Sequence, residues 1–524
     1  MIKLEKAATK IMAAIGTAVM LFLLFYSWKY TKRLVEPEYY LDEKDSILRN
    51  ALLCAGVLAV CAALYKVLRR IPGKVLHLLA IVTAVAAAAL AIRLAEAAGA
   101  VAVADQYYVQ RAAMALADGN TEWVLEQNYY DIFPFQLGLA EIFSFFFRMA
   151  GSTELIVIQR IQAVCTGITL YAGFRIVREL SGERLAEVWY LAAEILFLPG
   201  YLYALFIYGE SIGTCCAVCA VWLYLVVNRM QGKWWRKALL WIGIGLLLCL
   251  AYVARSMLVV VWIAMFLMQV LVFFRSRKWQ GIAILCVVFI MMSAGKNILC
   301  GMAQQQLGRE YGSGAPYSLW IAMGMQENED TQKGPGTYND YNVNVYLVSD
   351  YDSVESDTVA KEEIRQRLGQ WKADPAYAVN FLKEKLLIQW NEPTYCSFNL
   401  TRYQYKPAEW VEELYFGAAN ERALQFLNRY QAVVYLAILG YYVSILLGKV
   451  RGVKILPGII LLGGFCVTVL WEAKSRYVYP YLVMLLPCAA CSMEYYGRLL
   501  AEGLKKITGI VIGKQKQRKI GKAA

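Results

Sequence analysis

The chain has 524 residues, 59% hydrophobic and 18% charged, with a mean hydropathy of +0.44. That composition excludes a water-soluble enzyme, which at this length carries more charge and shorter apolar runs. The net charge of +13 does not point to nucleic acid. Many basic residues lie in short loops between apolar runs and in the tail "KKITGIVIGKQKQRKIGKAA", which is the pattern of membrane orientation and anionic-lipid contact.

The N-terminus places lysines before "IMAAIGTAVMLFLLFYSW" with no small-x-small cleavage site behind it, so it reads as an uncleaved first span. Apolar runs of about 17–22 residues recur along the chain, the length that crosses a hydrocarbon core of ~30 Å. β-Barrel strands alternate over about 10 residues, and these runs do not alternate. The fold class expected is an all-α polytopic membrane protein of about twelve spans: 10–28, 50–68, 75–98, 154–174, 185–207, 211–228, 238–254, 256–274, 280–299, 431–448, 455–471 and 477–497.

Orientation follows from Lys and Arg in the short loops. "KVLRRIPGK", "RIVRELSGER", "NRMQGKWWRK", "FRSRK" and "GKVRGVK" fall at alternate loops, which puts that side and both termini in the cytoplasm of a plasma-membrane protein. "KYTKR" at 29–33 falls on the other side, nearly balanced by Glu36, Glu38, Asp42, Glu43 and Asp45. The large loops are extracytoplasmic. The expected organisation is an N-terminal hairpin of spans (1–74), a core (75–299) with a first outer loop at 99–153, an outer domain (300–430), C-terminal spans (431–497) and a basic tail (498–524).

The outer loop has helical spacing in "DQYYVQRAAMALADG", ending at Gly119, and in "FQLGLAEIFSFFFRMAG" after Pro134, as expected of interfacial helices. The 300–430 segment begins with turn chemistry in "QKGPGTYNDYN" and continues with the charged helix "DTVAKEEIRQRLGQW". Asp374-Pro375 then supplies an N-cap and an N1 proline for "AYAVNFLKEKLLIQW". The segment reads as a small, mostly helical domain.

Thirteen cysteines are present, most inside apolar runs such as "CCAVC" at 215–219, where they pack as small apolar residues. With a single histidine, His77, a histidine-based metal centre is not expected. Cys300 and Cys396 both fall outside, and spacing leaves open whether they pair.

Ionisable groups near membrane depth are costly and mark function. Asp105 follows the third span. Glu210 sits in a tight turn, Arg255 at the tip of a helical hairpin, and Glu472, Lys474 and Arg476 just before the last span, while Lys296 lies near the outer end of span nine. A carboxylate there can deprotonate a hydroxyl, and cations there can hold a phosphate leaving group. Plain structural explanations stand beside this. An Arg at a helix end snorkels, Glu210 caps its helix, Asp105 N-caps the loop helix, and Asp131 and Glu141 occupy solvated helix faces.

These residues resemble a known family. "DQYYVQRAAMALADGN…YYDIFPFQLGLAEIFSFFFRMAG" is similar to the first outer loop of the GT-C glycosyltransferases, in the branch of the protein O-mannosyltransferases and aminoarabinose transferases (family 39-like). "FLPGYLYALFIYGES", "YVARSML" and "EAKSRYVYPYLVMLLP" resemble its later acidic turn, Arg hairpin and Arg-Tyr element. "APYSLWIAMGMQ…GTYNDYN" and "KLLIQWNEPTY" resemble the outer domain of bacterial members. The family pattern is departed from at Phe133, at the extra first pair of spans, and in the spacing from Tyr477 to Pro480.

The resemblance implies transfer of a sugar from a polyprenyl-phosphate donor to an acceptor glycan, lipid or protein, with inversion. It implies Asp105 as base, Glu210 as supporting acid, and Arg255 and Arg476 as donor-phosphate contacts, to which charge and placement add Lys296 and Lys474. Gln106, Tyr107, Tyr108, Asp131, Pro134, Gln136, Glu472 and Tyr477 would line the substrate cavity. Gln106 stands where mannosyltransferases place a second acid, so the tandem-acid subtype and protein O-mannosylation are not implied. A divalent metal is used by some members only, and the sequence requires none. Two other readings are a transporter or flippase of lipid-linked sugars, and a polysaccharide polymerase.

Overall fold

The computed structural model describes residues 2–330 and 333–520. The last four residues of the basic tail, 521–524, lie outside the described residues. Helices dominate, and among the described residues ten are long and apolar enough to cross a membrane. The chain is an all-α polytopic membrane protein. Ten of the twelve expected spans are found, the ninth and tenth longer than expected, at Gln280–Leu307 and Ala418–Leu446.

The two remaining expected spans, 185–207 and 477–497, are not among the ten. Over 185–207 the helix Arg184–Leu196 has only 13 residues, about 20 Å of rise. It breaks at Phe197, Pro199 lies in the five-residue helix Leu198–Leu202, and residues from there to Gly209 have no further helix. Irregular backbone at such depth persists only where protein satisfies its polar groups. Residues 199–215 are all buried. Gln162 donates to the carbonyls of Ala204 and Phe206 at 3.1 and 3.0 Å, and Gln159 to that of Leu205 at 3.3 Å. Thr166 donates to Gly200 O at 3.2 Å and Ser211 to Tyr203 O at 2.8 Å.

All but the first two residues of the expected span 477–497 lie within one helix, Tyr479–Ile520, with Pro487 inside it. It is not among the ten. Tyrosine, proline and Glu494 dilute its apolarity, and residues 475–490 are buried by protein, which removes the need for a fully apolar surface.

Helix pairs approach closely where glycines allow it. A Cβ at Gly167 would lie 2.5 Å from Ala84 O, so the helices Gly73–Ala98 and Leu155–Leu180 pack backbone to backbone.

An element not foreseen joins the first two spans. Strand β1, Tyr30–Glu36, pairs antiparallel with β2, Tyr39–Lys44. Two of the three cations of "KYTKR" are neutralised there. Lys32 lies 2.7 Å from both Asp42 and Glu384, and Arg33 2.8 and 2.5 Å from Glu43 and Glu421.

Segment 308–430 carries the helices Tyr317–Met323, Tyr341–Val348, Ser353–Ala373, Pro375–Trp390 and Glu409–Phe416. The Asp374 side chain caps the fourth, accepting from Tyr377 N at 3.0 Å, as its sequence predicts.

Candidate functional site

Residues 99–105 reach their position through paired backbone. Val101 N donates to Tyr403 O at 2.9 Å and Tyr405 N to Gly99 O at 2.9 Å. Ala104 then takes φ 50°, ψ −133°, a conformation that strains a residue with a Cβ, and the helix Asp105–Asp118 begins. Ala104, not Asp105, is the N-cap, and the capping explanation for Asp105 falls. Its carboxylate instead accepts from Tyr129 Oη at 3.2 Å and faces Arg476 Nη2 at 3.7 Å. The Asp105 side chain is 37% exposed and that of Arg476 9%. Burial, with Asp105 beside it, raises the Tyr129 hydroxyl far above its usual range, so it stays protonated and donating.

The turn before the Glu210–Arg229 helix is pressed against the end of the Trp234–Ala254 helix. A Cβ on Gly209 would fall 1.9 Å from Ala254 O. This sets Glu210 Oε1 3.3 Å from Arg255 Nε, a buried ion pair without hydrogen-bond alignment. Glu210 makes no capping hydrogen bond. Both Arg255 and Arg476 lie over the rings of Tyr208 and Tyr477, at 5.1 to 5.7 Å. Four buried atoms of this cluster, both Glu210 oxygens and the Nε of each arginine, have no hydrogen-bond partner among the described residues. Buried polar atoms without hydrogen-bond partners are costly, which sets this cluster apart from ordinary packing.

The segment 471–478 threads the centre. Tyr477 Oη donates to Glu472, and Lys474 Nζ lies 2.9 Å from Glu38 Oε1. Burial raises the Glu472 carboxyl, against the pull of Lys474 and Arg476. Burial opposes the Lys474 ammonium, but Glu38, with Glu472, outweighs it and holds its pKa above the usual lysine range.

Three groups that sequence reasoning did not select lie in or beside this segment. Glu392 accepts from Thr394 N at 2.8 Å, Thr394 Oγ1 at 2.5 Å, Cys396 N at 2.8 Å and Ser475 Oγ at 2.7 Å. Buried Lys385 donates to Gly324 O and Val469 O at 2.5 and 2.9 Å, and burial pushes its pKa down to about 7. Glu38 arrives on the β1–β2 turn. The only sequence signal for any of them was "KLLIQWNEPTY", which contains Lys385 and Glu392.

The other expected site residues divide. Gln136 Nε2 donates to Tyr208 Oη, which joins it to the cluster. Tyr108 stacks on Tyr129 at 4.2 Å, and Tyr107, 40% exposed, packs edge-on to Trp123. Gln106 is buried, and both ends of its amide bind backbone, accepting from Ile207 N at 2.9 Å and donating to Leu400 O at 3.2 Å. It ties the loop helix to the broken span. Asp131 is engaged by Arg309 at 2.7 Å and Glu141 by Arg148 at 2.8 Å, so neither is simply a solvated face.

Lys296 donates to Ser256 Oγ at 3.0 Å, next in sequence to Arg255. It lies over the rings of Phe135 and Tyr252 and lines a cavity of about 380 Å³ with Pro134, Phe135 and Tyr317. A smaller cavity of about 190 Å³, lined by Arg33, Arg49 and Glu392, lies under the β-hairpin and does not include Asp105. Cys300 and Cys396 are both free thiols. Cys396 contacts Ser475 Oγ at 3.0 Å. Among the described residues no three His, Cys, Asp or Glu side chains group to hold a metal ion.

No family model matches the chain, and no curated protein matches it. Among solved structures it is similar to an archaeal oligosaccharyltransferase AglB from Archaeoglobus fulgidus, solved in complex with an inhibitory peptide and a dolichol-phosphate. The identity is 13% and the TM-score 0.41, over 79% of this chain and 50% of that one. The chain thus spans half the length of the structure it matches. A likeness this distant carries no weight for chemistry, which rests on the residues themselves.

Proposed function

We propose that this chain is an integral-membrane glycosyltransferase that moves a sugar from a polyprenyl-phosphate donor to an acceptor hydroxyl at the outer face of the membrane, with inversion. The observation that carries the reading is the position of Asp105, a carboxylate partly open to solvent at the edge of a buried cluster of cations. The sequence resemblance supports it.

In this reading Asp105 takes the proton of the acceptor hydroxyl as the oxygen attacks the anomeric carbon. The bond from that carbon to the phosphate oxygen breaks on the opposite face. Arg255 and Arg476, with Lys474 and Lys296, receive the charge that develops on the departing polyprenyl phosphate. Glu210 orients Arg255 through their ion pair. The outer cavity beside Lys296 adjoins this cluster through Ser256 and gives room for a headgroup. Residues 300–430, as an outer domain, would cover the acceptor side.

The test is transfer from a panel of polyprenyl-phosphate sugars by the full-length protein in vesicles. A covalent product is expected from the wild type, and none from Asp105→Asn that is folded and inserted. Full activity in that variant would overturn the assignment of the base. Uptake of labelled lipid-linked sugar without a covalent product would replace the reading with a transporter or flippase. Products built from multi-sugar units would indicate a polymerase.

A further inference from the structure

The mechanism above uses Lys474 but not the group that holds it. Glu38 sits at the turn between β1 and β2, outside every motif that carries the resemblance. Its backbone is at φ 69°, and its side chain is buried, the residue being 6% exposed. A turn needed only to reverse the chain takes Gly or Asn at such a φ and leaves any carboxylate in water. Here a glutamate is forced into the left-handed region and its carboxylate is driven inward, which is backbone strain of the kind found at working sites.

The turn is clamped from outside. Tyr39 bridges Lys333, Gly334 N donates to Glu38 O at 3.4 Å, and Tyr39 Oη donates to Asp330 at 2.6 Å. The same loop reaches the central segment, where Ala473 N donates to Gly336 O at 2.7 Å. Of the two inserted oxygens, Oε1 pairs with Lys474 at 2.9 Å and Oε2 has no hydrogen-bond partner among the described residues. The other acid beside Lys474, Glu472, is already engaged by the Tyr477 hydroxyl.

We propose that Glu38 is a positioning residue of the site: it fixes the Lys474 ammonium, among Glu472, Arg476 and Tyr477, where the donor phosphate is received. The N-terminal pair of spans is then part of the working centre and not an added anchor. Fixation of Lys474 stands on geometry alone, while its service to a phosphate rests on the glycosyltransferase reading.

Two measurements on the full-length chain separate these parts. In the first, a small amine-reactive reagent is applied between pH 8 and 10 and Lys474 labelling is read by peptide mass spectrometry. Glu38→Gln should raise the rate by about tenfold for each unit by which the lysine pKa falls, and Glu38→Asp should bring it back toward wild type. Unchanged labelling in Glu38→Gln would overturn the fixation whatever the protein catalyses. In the second, transfer kinetics of Glu38→Gln should show a lowered kcat more than a raised KM for the donor, because the charge that Lys474 meets develops as the phosphate departs. The double variant E38Q/K474M should be no worse than Lys474→Met. Additive losses would overturn the positioning role and leave the glycosyltransferase reading standing. If Glu38→Gln does not fold, the exchanged pair E38K/K474E replaces it. Recovery of the folded protein supports the pair, and failure to recover overturns it.

Discussion

Arg476 Nη2 lies 3.7 Å from Oδ2 of Asp105, joining the first residue of the helix Asp105–Asp118 to the segment that opens the last helix. The two are separated by most of the chain, and the contact places a carboxylate and a guanidinium at one edge of a buried cluster. In the proposed mechanism Arg476 faces the leaving phosphate. Its planar fork holds phosphate in a way that an ammonium cannot reproduce. Arg476→Lys is therefore expected to lower kcat by ~10²-fold or more, on the scale of losing one stabilising donor. Expression and melting temperature should change little. Steady-state transfer kinetics with a melting control check it, and wild-type kcat would remove Arg476 from the mechanism.

The buried pair of Glu210 and Arg255 calls for a stability cycle. Removing one partner strands the other charge in low dielectric, at about 3–5 kcal/mol. Glu210→Gln and Arg255→Met should each be strongly destabilised. The double variant should recover much of that loss while remaining inactive. Denaturation in detergent measures the coupling, and additive losses would show that the two charges do not depend on each other.

Gln162→Leu tests the broken span. The substitution preserves bulk and apolarity in a membrane helix, so composition alone predicts a neutral or stabilising change. The structure predicts the reverse, since the carbonyls of Ala204 and Phe206 lose their shared donor. An unsatisfied buried group costs about 1–3 kcal/mol. A lowered melting temperature is expected, and an unchanged one would mean that the 197–209 stretch finds other partners.

Lys385 predicts a pH dependence of stability. Its folded pKa is depressed to about 7 by burial, with Glu472 opposing, below the ordinary lysine value of about 10.4. Between those values the unfolded chain binds more protons than the folded one, so stability rises with pH. Below about pH 7 the burial penalty is fully present. A neutral amine still donates to both Gly324 O and Val469 O. The free energy of unfolding should therefore climb from pH 7 to 9 by at most ~1.4 kcal/mol per pH unit, with melting temperature rising alongside it. Lys385→Met should flatten that slope. A slope that is identical in the variant would assign it to another group.

Much of the fold was legible from apolar run length, because a membrane span must supply its own length of hydrophobic surface. The Asp374 cap was legible because capping is local. Segment 185–207 was not, since apolarity is equally required of a helix facing lipid and of irregular backbone buried in protein. A signal existed: Gln159 and Gln162 share one face of an apolar helix, and buried amides there demand partners. At the site, Asp105, Glu210, Arg255 and Arg476 stood out because charges are rare near membrane depth. Glu38, Lys385 and Glu392 did not, because each lies in an ordinary polar stretch and is carried to the centre by long-range packing. The resemblance implies Gln106 as cavity lining, whereas the structure engages both ends of its amide with backbone.

The side chains that satisfy residues 197–209 have a consequence for biosynthesis. Gln106, Gln159, Gln162 and Thr166 precede the stretch they serve and Ser211 follows it closely, so a ribosome delivers most of the partners before the backbone groups they bind. The charge cluster is delivered in the opposite order. Asp105 is translated early, and Arg476 emerges hundreds of residues later. Until the final segment arrives, the nascent protein holds its acid without that counter-ion. A chain truncated before residue 471 should thus insert its first helices normally and yet remain a substrate for membrane quality control.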